Sequence, residues 1–282
     1  MNSKIIKYII IILLLPVVPL KATAQTGIYY STNGQLSSSL INQLYQDHRG
    51  FIWISTEFGL NKFDGTHFTH YKHIDNDSTS LINNHVRGVF EDSYRNLWIR
   101  CLGGLMLYHP ETDDFELIKI EGKEGRHVTN IMELHNGEVW GITTGDTIFR
   151  INLTQKVIEP IDEINRKLRL KSFSSIYEDT RRNLWFISET QGLLCFNPKS
   201  EEIQHFKYPD IPDNNISAIK EDQNGNLFIG TLTKGLCLYD WEKKVFQPIP
   251  YENKQNLPIK HLAFTEAVSY THLRAHETRS NL

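Results

Sequence analysis

Three evenly spaced histidines form the pattern in this chain that most resembles a metal site. His67, His70 and His73 are three residues apart, and on an α-helix that spacing would place their rings on one face, where imidazole nitrogens can share a zinc ion. Here, however, the residues fall on a predicted strand and its exit, and on a strand residues three apart point to opposite faces. The sequence therefore predicts no metal site, and no other motif calls for a cofactor.

Groups that could carry out catalysis are sparse. The sequence has no glycine-rich phosphate loop, no nucleophile elbow and no recognisable Ser/His/Asp set. Glu57 and Glu189 are isolated acids, and only coordinates could show whether either lies close to a second acid. The sequence therefore predicts that this chain is not itself an enzyme.

A repeated aromatic anchor dominates the chain instead. Its spacings are 45, 42, 45 and 43 residues, and the anchors are Trp53, Trp98, Trp140, Trp185 and Phe228. An aspartate stands six residues before four of the five anchors, and Leu134 takes its place in the third repeat. A period of roughly 40 to 50 residues is typical of a propeller or solenoid. One side chain repeated in every period has a structural role, so we interpret the anchors as core residues that pack blade on blade, and the aspartates as turn residues.

Each period divides into four short predicted strands, bounded by turn-forming residues. Apolar residues occur at both odd and even positions of the first strand, as expected of a sheet that is covered on both faces. The sequence thus predicts an all-β fold, a β-propeller of four-stranded antiparallel blades, with five complete blades and the start of a sixth in an incomplete ring. The predicted repeats lie near residues 36–71, 81–118, 123–158, 168–206, 211–247 and, for the sixth, 257–266.

The repeated motif resembles a known family. Asp-x-x-Gly-x-x-Trp-Ile-x-Thr, followed by Gly59-Leu60 and Phe63-Asp64, is similar to the two-component regulator propeller repeat over about residues 27–265. The resemblance implies the periplasmic sensor region of a hybrid two-component sensor histidine kinase from Bacteroidetes. It also implies an oligosaccharide or another small periplasmic ligand, a homodimeric intact receptor, and membrane contact only through a helix downstream of this sequence. The third repeat departs most from the motif.

The two ends of the chain differ in sequence from the repeats, and each has its own explanation. Residues 1–24 have lysines, then an apolar run over 8–20, then Ala22-Thr23-Ala24, which is typical of a signal peptide. We therefore expect export to the periplasm, with an uncleaved anchor as the alternative, and a partial propeller domain over 25–266. Residues 267–282 break the repeat and resemble translated sequencing adapter. We interpret them as a non-native tail, with a genuine C-terminal extension as the alternative.

The composition of the chain limits the classes of partner that it could bind. A net charge of −3 and an isoelectric point near 6.5 do not fit a nucleic-acid-binding surface, which would be basic. The three cysteines, Cys101, Cys195 and Cys237, fall on predicted strands. We expect small buried side chains, although a disulfide with one remaining thiol stays open.

Function must then come from the connections between strands. The turns after first strands are uniform, whereas those between second and third strands, and between repeats, vary and should share one end of the blades. Variation on one face of a repeat array usually marks a binding face. The candidate ligand-binding residues there are Glu57, Phe58, Arg100, Glu189, Gln191 and Lys234. A sensor domain is the leading hypothesis; the alternatives are a periplasmic polysaccharide lyase or hydrolase, with acids or histidines at the ring axis, and a protein-binding scaffold with an exposed apolar patch.

Overall fold

The computed structural model describes most of the repeat region. The described residues are 30–32, 35–120, 127–144, 147–168, 173–188, 191–250, 259 and 262. The chain separates into the compact units Met1–Ser31 and Thr32–Leu282, and the second unit contains all the strands given below. The predicted signal peptide and tail lie outside the described residues. None of the described helices is long and apolar enough to cross a membrane.

Twenty strands, in chain order, form five four-stranded antiparallel blades within the described residues. Blade 1 contains β1 (Ile41–Gln46), β2 (Ile52–Thr56), β3 (Gly59–Phe63) and β4 (Phe68–Tyr71). Blade 2 contains β5 (Val86–Glu91), β6 (Leu97–Cys101), β7 (Gly104–His109) and β8 (Asp114–Ile120). Blade 3 contains β9 (Val128–Glu133), β10 (Val139–Thr143), β11 (Ile148–Asn152) and β12 (Val157–Pro160). Blade 4 contains β13 (Phe173–Glu178), β14 (Leu184–Ser188), β15 (Gly192–Phe196) and β16 (Ile203–Phe206). Blade 5 contains β17 (Ile216–Glu221), β18 (Leu227–Thr231), β19 (Leu236–Asp240) and β20 (Val245–Pro248). The predicted all-β propeller fold is confirmed.

Apolar side chains fill the space between consecutive blades. One buried cluster lies between each pair of neighbours, and each contains an anchor of the earlier blade or packs against it. Trp53, Trp98 and Trp185 are at most 1% exposed, and so is Phe228. Burying an aromatic ring removes roughly 150 to 250 Å² from water, so these rings are the largest single contributions to blade packing.

The repeated aspartate explains why the anchor indole tolerates burial. Asp47 Oδ1 accepts the backbone N–H groups of Arg49 and Phe51, each at 3.0 Å. Its Oδ2 accepts the Nε1–H of Trp53 at 2.8 Å. The same indole-to-aspartate bond joins Trp98 to Asp92 and Trp185 to Asp179. The carboxylate therefore holds the turn and satisfies a buried donor at once.

The third blade does not follow this rule. Leu134 offers no acceptor, and the indole of Trp140 donates instead to Glu138 Oε2 at 3.1 Å. Trp140 is only half-buried, although it pairs with Met132 in the register that Trp53 has with Tyr45. The expectation of four equally buried indoles is therefore wrong for Trp140, because its donor needs a partner near the surface.

Every first strand carries a β-bulge near its beginning. One residue is skipped in the pairing between the first and second strands of each blade. The skipped residues are all polar: Asn42, Arg87, Thr129, Ser174 and Ser217. A bulge bends its strand and redirects a side chain, and in blade 1 the Nδ2 of Asn42 donates to the carbonyl of Val86 in blade 2 at 2.9 Å. The bulge thus directs a polar group of blade 1 toward the neighbouring first strand, whereas Thr129 and Ser174 bond carbonyls of the second strand in their own blades.

Blade 1 shows what a first strand looks like with one face uncovered. Leu40, Ile41 and Leu44 are 55%, 46% and 62% exposed, whereas the blade 2 counterparts of the last two, Val86 and Val89, are at most 1% exposed. Within the described residues, no blade packs on that side of β1, in keeping with an incomplete ring.

The predicted start of a sixth blade lies largely outside the described residues. Within that segment Ile259 is buried beside blade 5, and its carbonyl accepts a hydrogen bond from Ser217. Val86 has the same relation to Asn42 at the junction of blades 1 and 2. Ile259 therefore occupies the place of the first residue of a following blade.

Two features differ from a plain array of blades. Helix α1 (Asp162–Leu168) connects blades 3 and 4; acids lie in its first turn and bases in its last, which suits the helix dipole. Its Asn165 side chain bonds both the N–H and the carbonyl of Ile148, each at 2.8 Å. The outer strands β8 and β12 also pair in parallel, which joins blades 2 and 3 into one eight-stranded sheet.

All three cysteines are free, and none forms a disulfide. Cys101 and Cys237 are buried and Cys195 is half-buried. Burial raises the pKa of the Cys101 thiol to about 12, so it remains protonated at neutral pH. The three side chains behave as small apolar groups.

Candidate ligand-binding face

The variable connections lie together at one end of each blade. In blades 1, 2, 3 and 5, the backbone N–H just after the second strand donates to the carbonyl of the residue just before the first strand. Examples are Glu57 to Leu40 at 3.2 Å and Leu102 to His85 at 2.9 Å. The turns between second and third strands and the connections between blades therefore form one surface, which we call the loop face. The uniform aspartate turns lie at the opposite end.

A buried hydroxyl holds several of the turns on the loop face. Thr56 Oγ1 donates to the carbonyl of Gly59 at 2.8 Å and accepts the N–H of Phe58 at 3.1 Å. Thr231 does the same in blade 5, with Gly235 and Lys234. This accounts for the threonine that ends the repeated motif in blades 1 and 5, whereas the hydroxyl of Thr143 in blade 3 makes no hydrogen bond in the structure. Because buried hydroxyls hold the turn backbone, the side chains that project from these turns are free to differ.

The predicted ligand-binding residues occupy different blades. Phe58 is 58% exposed at the tip of the blade 1 turn, beside the half-buried Glu57. Gln191 is half-buried in blade 4, where its carbonyl accepts a hydrogen bond from His205 at 2.7 Å. Lys234 is exposed in blade 5. These four share the loop face, whereas Glu189 lies outside the described residues.

Arg100 is not a loop residue, which corrects its predicted place in the turn between second and third strands. It belongs to β6, pairs with Gly88 and is half-buried. Its guanidinium lies between blades 2 and 3, where Nη1 donates to the backbone carbonyl of Thr129. The corresponding residues in blades 3 and 4, Ile142 and Ile187, are buried and apolar.

A basic cluster surrounds Arg100 at the loop-face ends of blades 2 and 3. Its other members are Arg87, which occupies the bulge of β5, and two histidines that directly precede β5 and β9, His85 and His127. Burial, and then the positive charge of Arg87, lower the pKa of Arg100 to about 10. Burial, Arg87 and His85 lower the pKa of His127. Arg87 thus acts electrostatically on both Arg100 and His127.

Sequence reasoning found only one member of this cluster. A second signal was present at the bulge position. Of the five residues that the strand pairing skips, Arg87 is charged and the other four are neutral and polar. It becomes visible only once the bulge is known. His85 and His127 stand at equivalent positions, thirteen residues before their anchors.

The described cavity and the spaced histidines lie apart from the basic cluster. A cavity of about 340 Å³, lined in part by Tyr94, Asn136 and Arg150, lies at the aspartate-turn end. Of the three spaced histidines, His70 bonds the carbonyl of Gln35 and His73 that of Leu81. No three metal-ligating side chains come together among the described residues.

Comparison with known proteins agrees with this architecture. The two-component regulator propeller model matches residues 35–58 and 210–233. The extracellular domain of a hybrid two-component system from B. thetaiotaomicron is 27% identical, with a TM-score of 0.67, over 78% of this chain and 31% of that one. Histidine kinase P4 of Formosa agariphila is 28% identical over 67% of this chain and 15% of its own length.

This chain therefore spans less than a third of either relative. Virginiamycin B lyase from Staphylococcus aureus is also similar, at 17% identity and a TM-score of 0.57, over 76% of this chain and 71% of the lyase. At that identity the likeness concerns the fold alone. The two matched repeats, the four-stranded blades and the likeness to an extracellular domain of a hybrid two-component system make this chain similar to two-component regulator propellers.

Proposed function

We propose that this chain is the ligand-sensing part of a periplasmic receptor that belongs to a hybrid two-component histidine kinase. The ligand is an oligosaccharide that binds the loop face, and binding there alters the kinase and so the transcription of genes for glycan use. The chain itself carries out no catalysis in this scheme. Its similarity to an extracellular domain of a hybrid two-component system supports the exported, sensing role.

The observation that carries the proposal is the contrast between the two ends of the blades. At one end, four aspartates hold similar turns in the same way, because each accepts the backbone N–H of the residue four positions further on. At the loop face, buried hydroxyls fix the turn backbones while the projecting residues range from Phe58 to Gln191 and Lys234. An exposed aromatic ring can stack on the apolar face of a sugar, and amide and ammonium groups can bond its hydroxyls. In a repeat array, variation concentrated at one end usually marks the binding face.

Binding to glycans is the direct test. The full chain is titrated calorimetrically with a panel of plant, algal and host oligosaccharides, and the best binder is repeated with Phe58→Ala. We expect at least tenfold weaker binding for F58A. A matched control is Tyr94→Ala, because Tyr94 is 65% exposed but lies at the aspartate-turn end. A panel without any binder, or equal losses in both variants, would contradict the proposal.

We also propose that the intact receptor works as a homodimer. Dimerisation would let ligand binding on two sensor regions change the relative position of the paired kinases. Sedimentation of the intact receptor in detergent, with and without the oligosaccharide found above, measures this. A receptor that is monomeric in both states would contradict it.

A further inference from the structure

Two arginine side chains at the junction of blades 2 and 3 lack a counter-ion. Among the described residues, no carboxylate forms an ion pair with Arg87 or Arg100. The Nε atoms of both guanidinium groups are shielded from solvent and make no hydrogen bond in the structure. A cation that is removed from water without a partner is destabilising in general. Both arginines are half-buried, and the positive charge of Arg87 adds to the cost of burying Arg100.

The surrounding backbone makes room for these charges. Gly88 is paired with Arg100 across β5 and β6, and a Cβ on Gly88 would lie 2.4 Å from Nη2 of Arg100. The bulge at Arg87 turns its side chain out of the regular pleat. Arg100 also replaces the apolar residue of blades 3 and 4 at this position. The sequence thus departs from its own repeat at three adjacent points, all of which favour a guanidinium pair.

The two histidines add donors at the mouth of this cluster. His127 accepts the N–H of Gly103 at its Nδ1, at 2.6 Å, so a neutral ring carries its proton on Nε2 and can donate there. His85 and His127 both stand at the loop-face ends of their blades. Four nitrogen-bearing side chains without an acid among them present donors and positive charge to whatever enters from the loop face.

We propose that Arg87 and Arg100, together with His127, bind an anionic group, a carboxylate or a sulfate, carried by the molecule that the loop face senses. The assignment to a sensed molecule rests on the proposed function; the anion site itself rests on the guanidinium pair. The ligand class is then an acidic saccharide rather than a neutral one. The anion supplies the missing counter-charge and bonds the free guanidinium donors.

Thermal unfolding of the full chain in matched salts tests the site. A ligand that binds only the folded state raises the melting temperature as its concentration increases. Sodium glucuronate, sodium sulfate and sodium chloride are compared at one ionic strength, with glucose as the neutral control. We expect glucuronate or sulfate to raise the melting temperature relative to chloride, and glucose to have no effect.

Variants separate a binding role from a structural one. Arg87→Gln and Arg100→Gln each remove one charge, so each should weaken anion binding by about tenfold or more. Arg150→Gln is the control, because Arg150 lies at the aspartate-turn end and pairs with Glu159. If R100Q fails to fold, R87Q still gives the answer. Melting that does not respond to either anion, or an R87Q response equal to that of the parent chain, would overturn the proposal.

The anion experiment and the glycan panel can fail independently of each other. If neutral oligosaccharides bind the loop face while glucuronate and sulfate do not, the proposed function stands and the anion site is wrong. If the anions bind through Arg87 and Arg100 but no oligosaccharide binds, the site stands and the glycan-sensing function fails.

Discussion

Glu91 of blade 2 holds the turn of blade 1 through both of its carboxylate oxygens. Oε2 accepts the backbone N–H of His48 at 2.8 Å, and Oε1 accepts the ring Nδ1–H of the same residue. The side chain of Glu91 is 7% exposed. His48 directly follows Asp47, the residue that binds the anchor indole. The hydrogen bonds within one blade are therefore continuous with those that reach the next.

The same relationship recurs at every junction between described blades. The residue after the aspartate position donates to the glutamate that ends the next first strand, and the pairs are Ser93 with Glu133, His135 with Glu178, and Thr180 with Glu221. The donors differ in type, but each offers its backbone N–H and a side-chain donor. A repeated glutamate of this kind serves assembly, so it carries no information about the ligand.

The first prediction concerns this inter-blade contact. Glu91→Ala leaves the N–H of His48 without its acceptor and removes a charge-assisted bond, so the free energy of unfolding should fall by about 1 to 3 kcal/mol. Glu91→Gln keeps one carbonyl acceptor and should lose less than half as much. Urea titrations of the three proteins measure the difference. Equal losses for alanine and glutamine would show that charge, and not the acceptor, is what matters.

A second prediction uses the departure of blade 3 from the rule. Asp179→Ala deprives the fully buried indole of Trp185 of its acceptor. It should cost about 2 to 4 kcal/mol, because the backbone N–H of Asn183 in the turn loses its acceptor as well. Glu138→Ala removes the acceptor of Trp140, whose half-exposed indole can bond to water instead, so the cost should stay below about 1 kcal/mol. Urea unfolding again provides the measurement. A larger effect at Glu138 would contradict the explanation given for Trp140.

A third prediction concerns acid stability at the junction of blades 1 and 2. Asp113 Oδ1 accepts the hydroxyls of Tyr71 at 2.6 Å and Tyr108 at 2.5 Å, and Lys62 Nζ at 2.9 Å. Burial alone would raise the pKa of Asp113, but these hydrogen bonds outweigh it and lower the pKa below 3.8. The ionised carboxylate thus stabilises the fold above about pH 4, and this contribution disappears as the pH falls through the lowered pKa.

Melting temperature measured between pH 7 and pH 2.5 checks this sign. Asp113→Asn should melt lower at pH 7 and converge with the parent chain at the acid end. Tyr108→Phe removes one of the three donors and should give an intermediate slope. Because the Asp113 side chain is 49% exposed, solvent screening keeps the effect small. Parallel profiles for D113N and the parent chain would mean that the carboxylate does not contribute.

The architecture could be predicted from the sequence because it is repeated. Five copies of one spacing average out local exceptions, and a strand period, a turn aspartate and an aromatic anchor each have a direct physical meaning. What the repeats do not share was harder to foresee. Helix α1 occurs once, and its seven residues are too short a segment for the spacing of Ile164 and Leu168 to indicate a helix. The half-exposed Trp140 follows from Leu134, but only once the indole-to-aspartate bond is known.

The candidate site was predictable only in outline. Which end of the blades varies can be seen by comparing the repeats, and Phe58 could be named because an exposed aromatic ring at a variable position is unusual. The guanidinium pair depends on a one-residue bulge that moves Arg87 out of the regular alternation. Alternation alone cannot show this, since a skipped residue leaves no mark on the period of the repeat.

The last prediction separates the guanidinium pair from the stability of the fold by means of two glycines. A Cβ at Gly88 would meet Gln43 Oε1 at 2.1 Å and Arg100 Nη2 at 2.4 Å, the ends of two flexible side chains that can shift. A Cβ at Gly141 would lie 2.5 Å from the backbone carbonyl of Asn130 and 2.4 Å from the packed ring of Phe149, neither of which can move cheaply. Gly88→Ala should therefore displace Arg100, lower the melting temperature by only a few degrees and abolish the stabilisation by glucuronate or sulfate. Gly141→Ala overpacks the core and should lower the free energy of unfolding by about 1 to 3 kcal/mol. The G141A protein that does fold should still be stabilised by glucuronate or sulfate. A G88A protein that responds to anions like the parent chain would show that the position of Arg100 over Gly88 does not determine anion binding.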